Sequence, residues 1–165
     1  MTLNHSAPFD YFGYRETAPL VVDALQALGK AVDDSGLEKQ LTELLKIRVS
    51  QLNGCAFCLQ FHLDLARKTG LPAIKADLVA TWHDCDIYSD RERAALAWAE
   101  ALTLMNQKIV TSQQYLQLKQ QFSGNEIAFL TAAIANINAW NRIAGGLHFP
   151  PMIPASQLPT ARELA

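Results

Sequence analysis

The sequence predicts an all-α protein, built as a single helical domain of about seven helices. Apolar residues recur every three or four positions along most of the 165 residues, and no strand-like alternation of useful length occurs. Three capping-box motifs mark helix starts in the second half of the chain. Half of the residues are hydrophobic and only 18% are charged, so we expect a well-buried core or further burial in an oligomer.

Capping residues, glycines and prolines predict where the first helices begin and end. Residues 1–16 are rich in aromatic side chains and are expected to form an extended N-terminal arm, packed on the body or on a neighbouring subunit. Residues 17–150 are expected to form the helical domain. The first predicted helix of this domain begins at a cap on Thr17. The second runs from about Leu37 to Leu52, the third from about Cys55 to Thr69, and the fourth from Pro72 to near Trp82.

Three later helices are predicted from capping boxes. The pairs are Ser89 with Glu92, Thr111 with Gln114, and Ser123 with Glu126. The stretch GGLHFPPMIP holds three prolines and two glycines, so it is predicted to be non-helical. Residues 151–165 are therefore expected to form a C-terminal tail.

Composition excludes several classes of function. The formal charge of −2 and the pI near 6.0 offer no basic footprint for nucleic acid. The apolar runs are shorter than the roughly 20 residues of a membrane span, and the N-terminus has no signal-peptide pattern. A soluble, cytoplasmic protein is expected. In a reducing compartment, two cysteines close in sequence are more often catalytic or metal-binding than structural.

The stretch from Glu43 to His62 holds the residues best suited to chemistry. The turn signal Asn53-Gly54 places Cys55 in the first turn of a helix, where free backbone N–H groups and the helix dipole stabilise a thiolate. Cys58 follows three residues later, so the two thiols share a helix face and can form a disulfide across one turn. The pair is therefore a candidate redox dithiol.

An acid/base relay is predicted beside this dithiol. His62 lies four residues after Cys58 on the same face and can take its thiol proton. If the two helices pack antiparallel across the turn, Glu43 returns to meet His62 and fixes its tautomer. A peroxide would oxidise one sulfur to a sulfenic acid, the other sulfur would condense with it, and an external dithiol would reduce the resulting disulfide.

Other interpretations stay open at this point. Cys55, Cys58, His62 and Glu43 could together bind zinc, although this ligand set is uncommon. The protein could be a redox-responsive or metal-responsive helical oligomer, a sensor or a disulfide oxidoreductase without efficient peroxidase turnover. The scaffold could also perform carbon chemistry on a small acid. Cys85 is interpreted as a lone cysteine near a loop rather than a third redox partner, and Asn138 and Asn141 as polar positions on an apolar helix.

The pattern Glu43-x11-Cys55-x-x-Cys58-x-x-x-His62 in a helical chain resembles the AhpD-like alkylhydroperoxidase branch of the carboxymuconolactone decarboxylase family. Residues 88–103 also resemble the helix that follows the motif in that family. The resemblance implies an all-helical fold, assembly into trimers or hexamers, and hydroperoxide reduction without cofactor or metal. An external dithiol, on a lipoyl protein or a thioredoxin-like protein, would serve as reductant.

The same resemblance implies a role for each residue of the motif. Cys58 matches the peroxide-attacking thiol and Cys55 its disulfide partner, while His62 and Glu43 match the proton relay. One position departs from the family pattern, because the best-studied members carry a histidine between the cysteines where this chain has Phe57. The departure predicts a shorter relay.

Overall fold

A computed structural model describes residues 9–154 and residue 158 of the chain. Over these residues the secondary structure is helical and contains no strand, which confirms the predicted all-α class. Eight α-helices are present in this part of the chain: α1 (Tyr11–Thr17), α2 (Pro19–Asp33), α3 (Lys39–Leu52), α4 (Ala56–Lys68), α5 (Ala73–Leu78), α6 (Asp90–Thr103), α7 (Ser112–Lys119) and α8 (Gly124–Gly146). A 3₁₀ segment, Val79–Asp84, follows α5 directly.

Helix α3 lies at the centre of the domain and packs against α4, α6 and α8. Its apolar side chains are almost fully buried: Leu41, Leu44, Leu45, Ile47 and Val49. Burying each such side chain contributes roughly 1.5–3 kcal/mol. Two polar residues of α3, Glu43 and Ser50, are buried in the same core at 0% exposure. Buried polar groups need partners, so the centre of the fold is where polar contacts are expected to be most specific.

The three predicted capping boxes are confirmed. At the start of α6, Ser89 Oγ accepts the Glu92 N–H, and the Glu92 carboxylate accepts the Ser89 N–H at 2.8 Å. The same reciprocal pair opens α7 through Thr111 and α8 through Ser123. Each box pairs two backbone donors that the helix geometry leaves free.

The expected extended arm is wrong for residues 11–16, which are helical and belong to α1. Asp10 is the N-cap of this helix, and its carboxylate accepts the Gly13 N–H at 2.8 Å. Thr17 is the last residue of α1 and does not cap the next helix. Instead Ala18 precedes α2, and Pro19 occupies the first helical position, where its missing N–H costs nothing. Residues 1–8 of the predicted arm lie outside the described part of the chain.

Two further boundaries differ from the prediction. The helix expected to reach Trp82 ends at Leu78, and the chain tightens into the 3₁₀ segment, which has a non-helical residue at Thr81. Helix α8 continues through Gly145 and Gly146, so the non-helical stretch begins two residues later than expected. Most of the predicted tail, residues 155–157 and 159–165, lies outside the described residues. No helix in the described part of the chain has the length and apolarity to cross a membrane.

Candidate active site

The turn between α3 and α4 positions the cysteine pair. Gly54 has a φ of +66°, which favours glycine because a side chain at this φ is strained. The chain then reverses, and the Cys55 N–H donates to the Ser50 carbonyl at 3.0 Å. Cys55 therefore becomes the N-cap of α4, one position before the helix, and its sulfur accepts the Cys58 N–H at 3.3 Å. A thiolate at this position can accept hydrogen bonds from the free backbone N–H groups of the first helical turn.

The two sulfurs of the motif are in direct contact. Cys55 Sγ and Cys58 Sγ lie 2.6 Å apart, and both residues are free thiols at 3% exposure. A hydrogen bond of this kind has one sulfur donating its proton and the other accepting it. The pair is thus buried, and its two sulfurs are close enough for a bond to form between them.

The contact separates the pKa values of the two thiols. Hydrogen bonds from the Cys58 thiol and from nearby backbone N–H groups outweigh burial and lower the pKa of Cys55 to about 7. The same contact, together with burial and the adjacent negative charge, raises the pKa of Cys58 above its ordinary value. The first thiolate therefore forms on Cys55 while Cys58 retains its proton.

His62 and Glu43 meet as the sequence predicted. His62 Nδ1 and Glu43 Oε2 are 2.7 Å apart, and the carboxylate is fully buried. Two lysines that the sequence reasoning missed also reach this carboxylate. Lys46 Nζ lies 2.9 Å and Lys39 Nζ 3.2 Å from Glu43 Oε1. Both lysines stand at helical spacing from Glu43, three residues after it and four before it, so their positions were a usable signal.

Burial and charge determine the protonation of this pair. Burial raises the pKa of Glu43, but the His62 hydrogen bond and the Lys46 charge outweigh it and bring that pKa to about 2. Burial lowers the pKa of His62, and the Glu43 carboxylate offsets this in part. His62 is therefore neutral near pH 7, with Nδ1–H donating to Glu43 and Nε2 left as a hydrogen-bond acceptor.

The structure shows no direct contact for the predicted proton transfer from Cys58 to His62. Over residues 9–154, the hydrogen bonds of His62 run to Glu43 and not to either sulfur. His62 instead lines a cavity of about 530 Å³, whose wall includes Glu43 but neither Cys55 nor Cys58. A proton passing between His62 and the thiols therefore needs a bridging water or a substrate hydroxyl.

The cavity has an apolar wall and a charged rim. Tyr11 of α1, Leu25 of α2, Phe57 and Phe61 of α4 and Trp140 of α8 form the apolar part. The charged side chains of the rim are neutralised in pairs: Lys30 with Asp34 at 2.5 Å, Lys39 with Asp33 at 2.6 Å, and Lys46 with Glu43. The cavity thus suits an organic molecule without net charge.

The remaining candidates take structural positions. Among residues 9–154 and 158, no three His, Cys, Asp or Glu side chains are grouped so that they could hold a metal ion. The four residues weighed as zinc ligands form two separate contacts, one between the sulfurs and one between His62 and Glu43. Cys85 is half-buried, and His83 stacks on Trp82 with ring centroids 3.7 Å apart.

An amide network on α8 was not foreseen as part of the site. Asn53 Nδ2, in the turn, donates to Asn138 Oδ1 at 3.0 Å and to Asn141 Oδ1 at 2.9 Å. Asn141 also donates to Ser50 Oγ at 3.2 Å, and its amide lowers the pKa of both thiols. The sequence marks both asparagines as polar residues on an apolar helix, but only the packing of α8 against α3 and α4 shows what they face.

The profile of the carboxymuconolactone decarboxylase family matches residues 19–101. The uncharacterized protein YdfG of Bacillus subtilis is 37% identical over 131 residues, which cover 79% of this chain and 89% of YdfG. A protein of unknown function from Agrobacterium tumefaciens, described as a candidate antioxidant defence protein AhpD, is 35% identical. Its structure superposes with a TM-score of 0.82 over 86% of this chain and 97% of its own.

A peroxidase-related protein from Ralstonia eutropha, described as an alkylhydroperoxidase AhpD core, is more distant. It is 25% identical, with a TM-score of 0.74 over 85% of this chain and 75% of its own. The fold, the matched profile and these relatives indicate the same family. The chain belongs to the carboxymuconolactone decarboxylase family, in its AhpD-like, peroxidase-related branch.

Proposed function

We propose that the protein is a thiol-dependent peroxidase that reduces hydroperoxides through a dithiol–disulfide cycle of Cys55 and Cys58. The observation that carries this proposal is the 2.6 Å contact between the two sulfurs, with the negative charge favoured on one and the proton on the other. A thiolate is the nucleophile that a peroxide needs, and a second thiol in contact can close the disulfide. His62 and Glu43 provide the adjacent acid/base pair.

The cycle begins with a proton transfer within the dithiol that is unfavourable in the resting site, because the pKa of Cys58 is raised and that of Cys55 is lowered. The Cys55 thiolate takes the proton of Cys58, and the Cys58 thiolate attacks the terminal peroxide oxygen. An S–O bond forms, the O–O bond breaks, and the alkoxide leaves with the proton of Cys55. Cys55, again a thiolate, attacks the sulfenic sulfur, so that an S–S bond forms and hydroxide leaves as water with one proton from solvent. An external dithiol then returns two electrons.

His62 serves this cycle as a proton acceptor and donor on the cavity side. Its Nδ1–H is fixed on Glu43, so Nε2 can accept a hydrogen bond from the hydroperoxide O–H and later relay the solvent proton that leaves with water. Glu43 holds the imidazole in this tautomer, and Lys46 and Lys39 keep the carboxylate ionised. General acid–base help of this kind contributes roughly 10²–10⁴-fold in rate.

The cavity supports organic hydroperoxides as the substrate class. Its apolar wall accommodates a hydrocarbon body, and its paired rim charges favour molecules without net charge. We also propose that the reductant is a lipoyl or thioredoxin-like dithiol in a reducing cytoplasm. Homo-oligomers, trimers or hexamers, would cover the exposed apolar side chains of α2, such as Leu20 at 82% exposure and Leu28 at 38%.

Peroxide consumption tests the proposal. The assay uses cumene hydroperoxide and hydrogen peroxide with a reduced lipoyl protein, thioredoxin and glutathione as separate donors. Cys58→Ser is expected to abolish turnover and His62→Ala to lower it about 100-fold. Cys85→Ser is the matched control, because the third cysteine lies outside the site and its loss should leave the rate unchanged. Full turnover by Cys58→Ser would refute the proposal.

Trapping the sulfenic acid separates the roles of the two thiols. After one equivalent of peroxide, a carbon nucleophile such as dimedone should label the sulfenic acid of Cys58 in the Cys55→Ser variant. Labelling of Cys55 in the Cys58→Ser variant, at a comparable rate, would reverse the assignment and make the Cys55 thiolate the attacking group. Mass spectrometry of the peptides that carry each cysteine reads the result.

A redox sensor is the second candidate, and the burial of the dithiol favours it. Both cysteines are 3% exposed and neither lines the cavity, which slows access for a macromolecular reductant. A sensor would be oxidised by one equivalent of peroxide without steady-state turnover for any donor. Turnover that continues for many equivalents, and that depends on the donor concentration, supports the peroxidase instead.

A further inference from the structure

The Asn53–Asn141 amide network lies against the α3–α4 turn, which carries Ser50 and Cys55. Asn141, on α8, is 3% exposed and adjoins the α3–α4 turn that carries Cys55. An asparagine amide has two N–H donors and one carbonyl oxygen, and the direction in which it is held decides which end a neighbour meets. The network therefore determines which end of the Asn141 amide is directed at the α3–α4 turn.

Asn53 sets the orientation of the Asn141 amide. Its Nδ2 donates to the oxygens of both Asn138 and Asn141, at 3.0 and 2.9 Å. A rotated Asn141 would place its own NH₂ group against that of Asn53, which leaves two donors facing each other. The Asn141 NH₂ group is consequently turned away from Asn53, and one of its hydrogens is donated to Ser50 Oγ at 3.2 Å.

We propose that Asn141 is the residue that positions and stabilises the thiolate of the cysteine pair, through the second N–H of its amide. Ser50 uses one of the two hydrogens, and the other is the donor available to the sulfurs. Hydrogen bonding by Asn141 acts in the same direction on both thiols, lowering the pKa of each. The same amide can therefore stabilise a thiolate on Cys55 and a thiolate on Cys58 by a hydrogen bond.

Asn138 provides a natural comparison within the same network. It is one helical turn before Asn141 on α8 and accepts from the same Asn53 amide. Its own NH₂ group donates to Thr103 Oγ1 at 3.1 Å and to the Ile134 carbonyl at 3.0 Å. Both of its donors are thus used away from the sulfurs, so its loss disturbs the network without removing a donor from the thiolate.

The test measures the apparent pKa of the reduced thiols, from the pH dependence of iodoacetamide alkylation and of thiolate absorbance at 240 nm. Full-length wild type, Asn141→Leu, Asn141→Asp and Asn138→Leu are compared. Asn141→Leu should raise the lower thiol pKa by about one pH unit, since a hydrogen bond to a charged group contributes roughly that much. Asn141→Asp, which has the size of the original side chain and replaces the donor by an acceptor, should raise it at least as far.

The Asn138→Leu variant should shift this pKa clearly less than Asn141→Leu. Equal shifts in the two variants, or an unchanged pKa in both Asn141 variants, would overturn the proposal. Circular dichroism of the helices identifies any variant that fails to fold. If Asn141→Leu fails, the thiol pKa of Asn141→Asp alone decides the proposal. The measurement uses no peroxide, so a protein without peroxidase turnover would still show the Asn141 effect, and the two proposals fail separately.

Discussion

Replacing Glu43 with glutamine should remove a large part of the stability of the fold. Glu43 is fully buried at the centre of α3, and its carboxylate contacts His62, Lys46 and Lys39. These partners bring its pKa from 4.5 to about 2. At about 1.4 kcal/mol for each pKa unit, the ionised form contributes about 3 kcal/mol to the free energy of unfolding. Glutamine keeps the shape and loses the charge, which also leaves Lys46 without its buried partner.

The pH dependence has a definite sign. The pKa is lower in the folded state than in the unfolded state, so the contribution is complete above pH 4.5 and is lost as the pH falls from 4.5 towards 2. Urea denaturation followed by circular dichroism should therefore show Glu43→Gln less stable by about 3 kcal/mol at pH 7. The difference in the free energy of unfolding between wild type and Glu43→Gln should become smaller below pH 4.5.

Glu38→Gln is the matched control for this measurement. Glu38 forms an ion pair with Arg91 at 2.9 Å, but its side chain is 54% exposed. Exposed ion pairs contribute about 0–1 kcal/mol, so this variant should be close to wild type. If Glu43→Gln matched Glu38→Gln at pH 7, or if its deficit stayed constant down to pH 3, the assignment of Glu43 as an ionised, stabilising carboxylate would be refuted.

Two further substitutions probe the site and its turn. Lys46→Met should raise the pKa of His62, because the Lys46 charge lowers it. An NMR titration of the imidazole should therefore show a midpoint at higher pH than in the wild type. The control Lys30→Met, which removes the partner of Asp34, should leave the His62 midpoint unchanged. Gly54→Ala should destabilise the fold by about 1 kcal/mol in urea denaturation, since its φ is positive and the space around it is open. The same change at Gly145, inside α8 with open space around it, should be neutral or stabilising by up to about 1 kcal/mol.

Local signals in the sequence were sufficient for much of the fold. Each capping box joins two residues three positions apart, so Ser89, Thr111 and Ser123 could be recognised without tertiary structure. The tight turn at Asn53-Gly54 likewise makes α3 and α4 neighbours, which was enough to place Glu43 near His62. Helix α1 was missed because its aromatic residues and Gly13 suggested an arm, although Asp10 carried an N-cap signal.

The amide network depends on tertiary packing and had no local signal of this kind. Asn53 and Asn141 are 88 residues apart, and their contact exists only because α8 crosses the α3–α4 turn. The separation of the two thiol pKa values was not predicted either, although its main cause is a contact between residues three positions apart. Helix position alone indicated that Cys55 favours a thiolate, whereas the retained proton of Cys58 follows from the contact between the sulfurs.

The phenylalanine between the cysteines has a packing role at the position where the family pattern has a histidine. Phe57 is 7% exposed, stacks on Tyr11 with ring centroids 5.9 Å apart, and meets Phe149 edge-on at 5.5 Å. Position 57 therefore joins α1 and the segment after α8 to α4, and an imidazole there would lose apolar contacts in a buried aromatic cluster. In the proposed cycle, acid–base help is therefore left to His62, which Glu43 holds at the cavity, while the proposed role of the Asn141 amide is to donate a hydrogen bond to the thiolate.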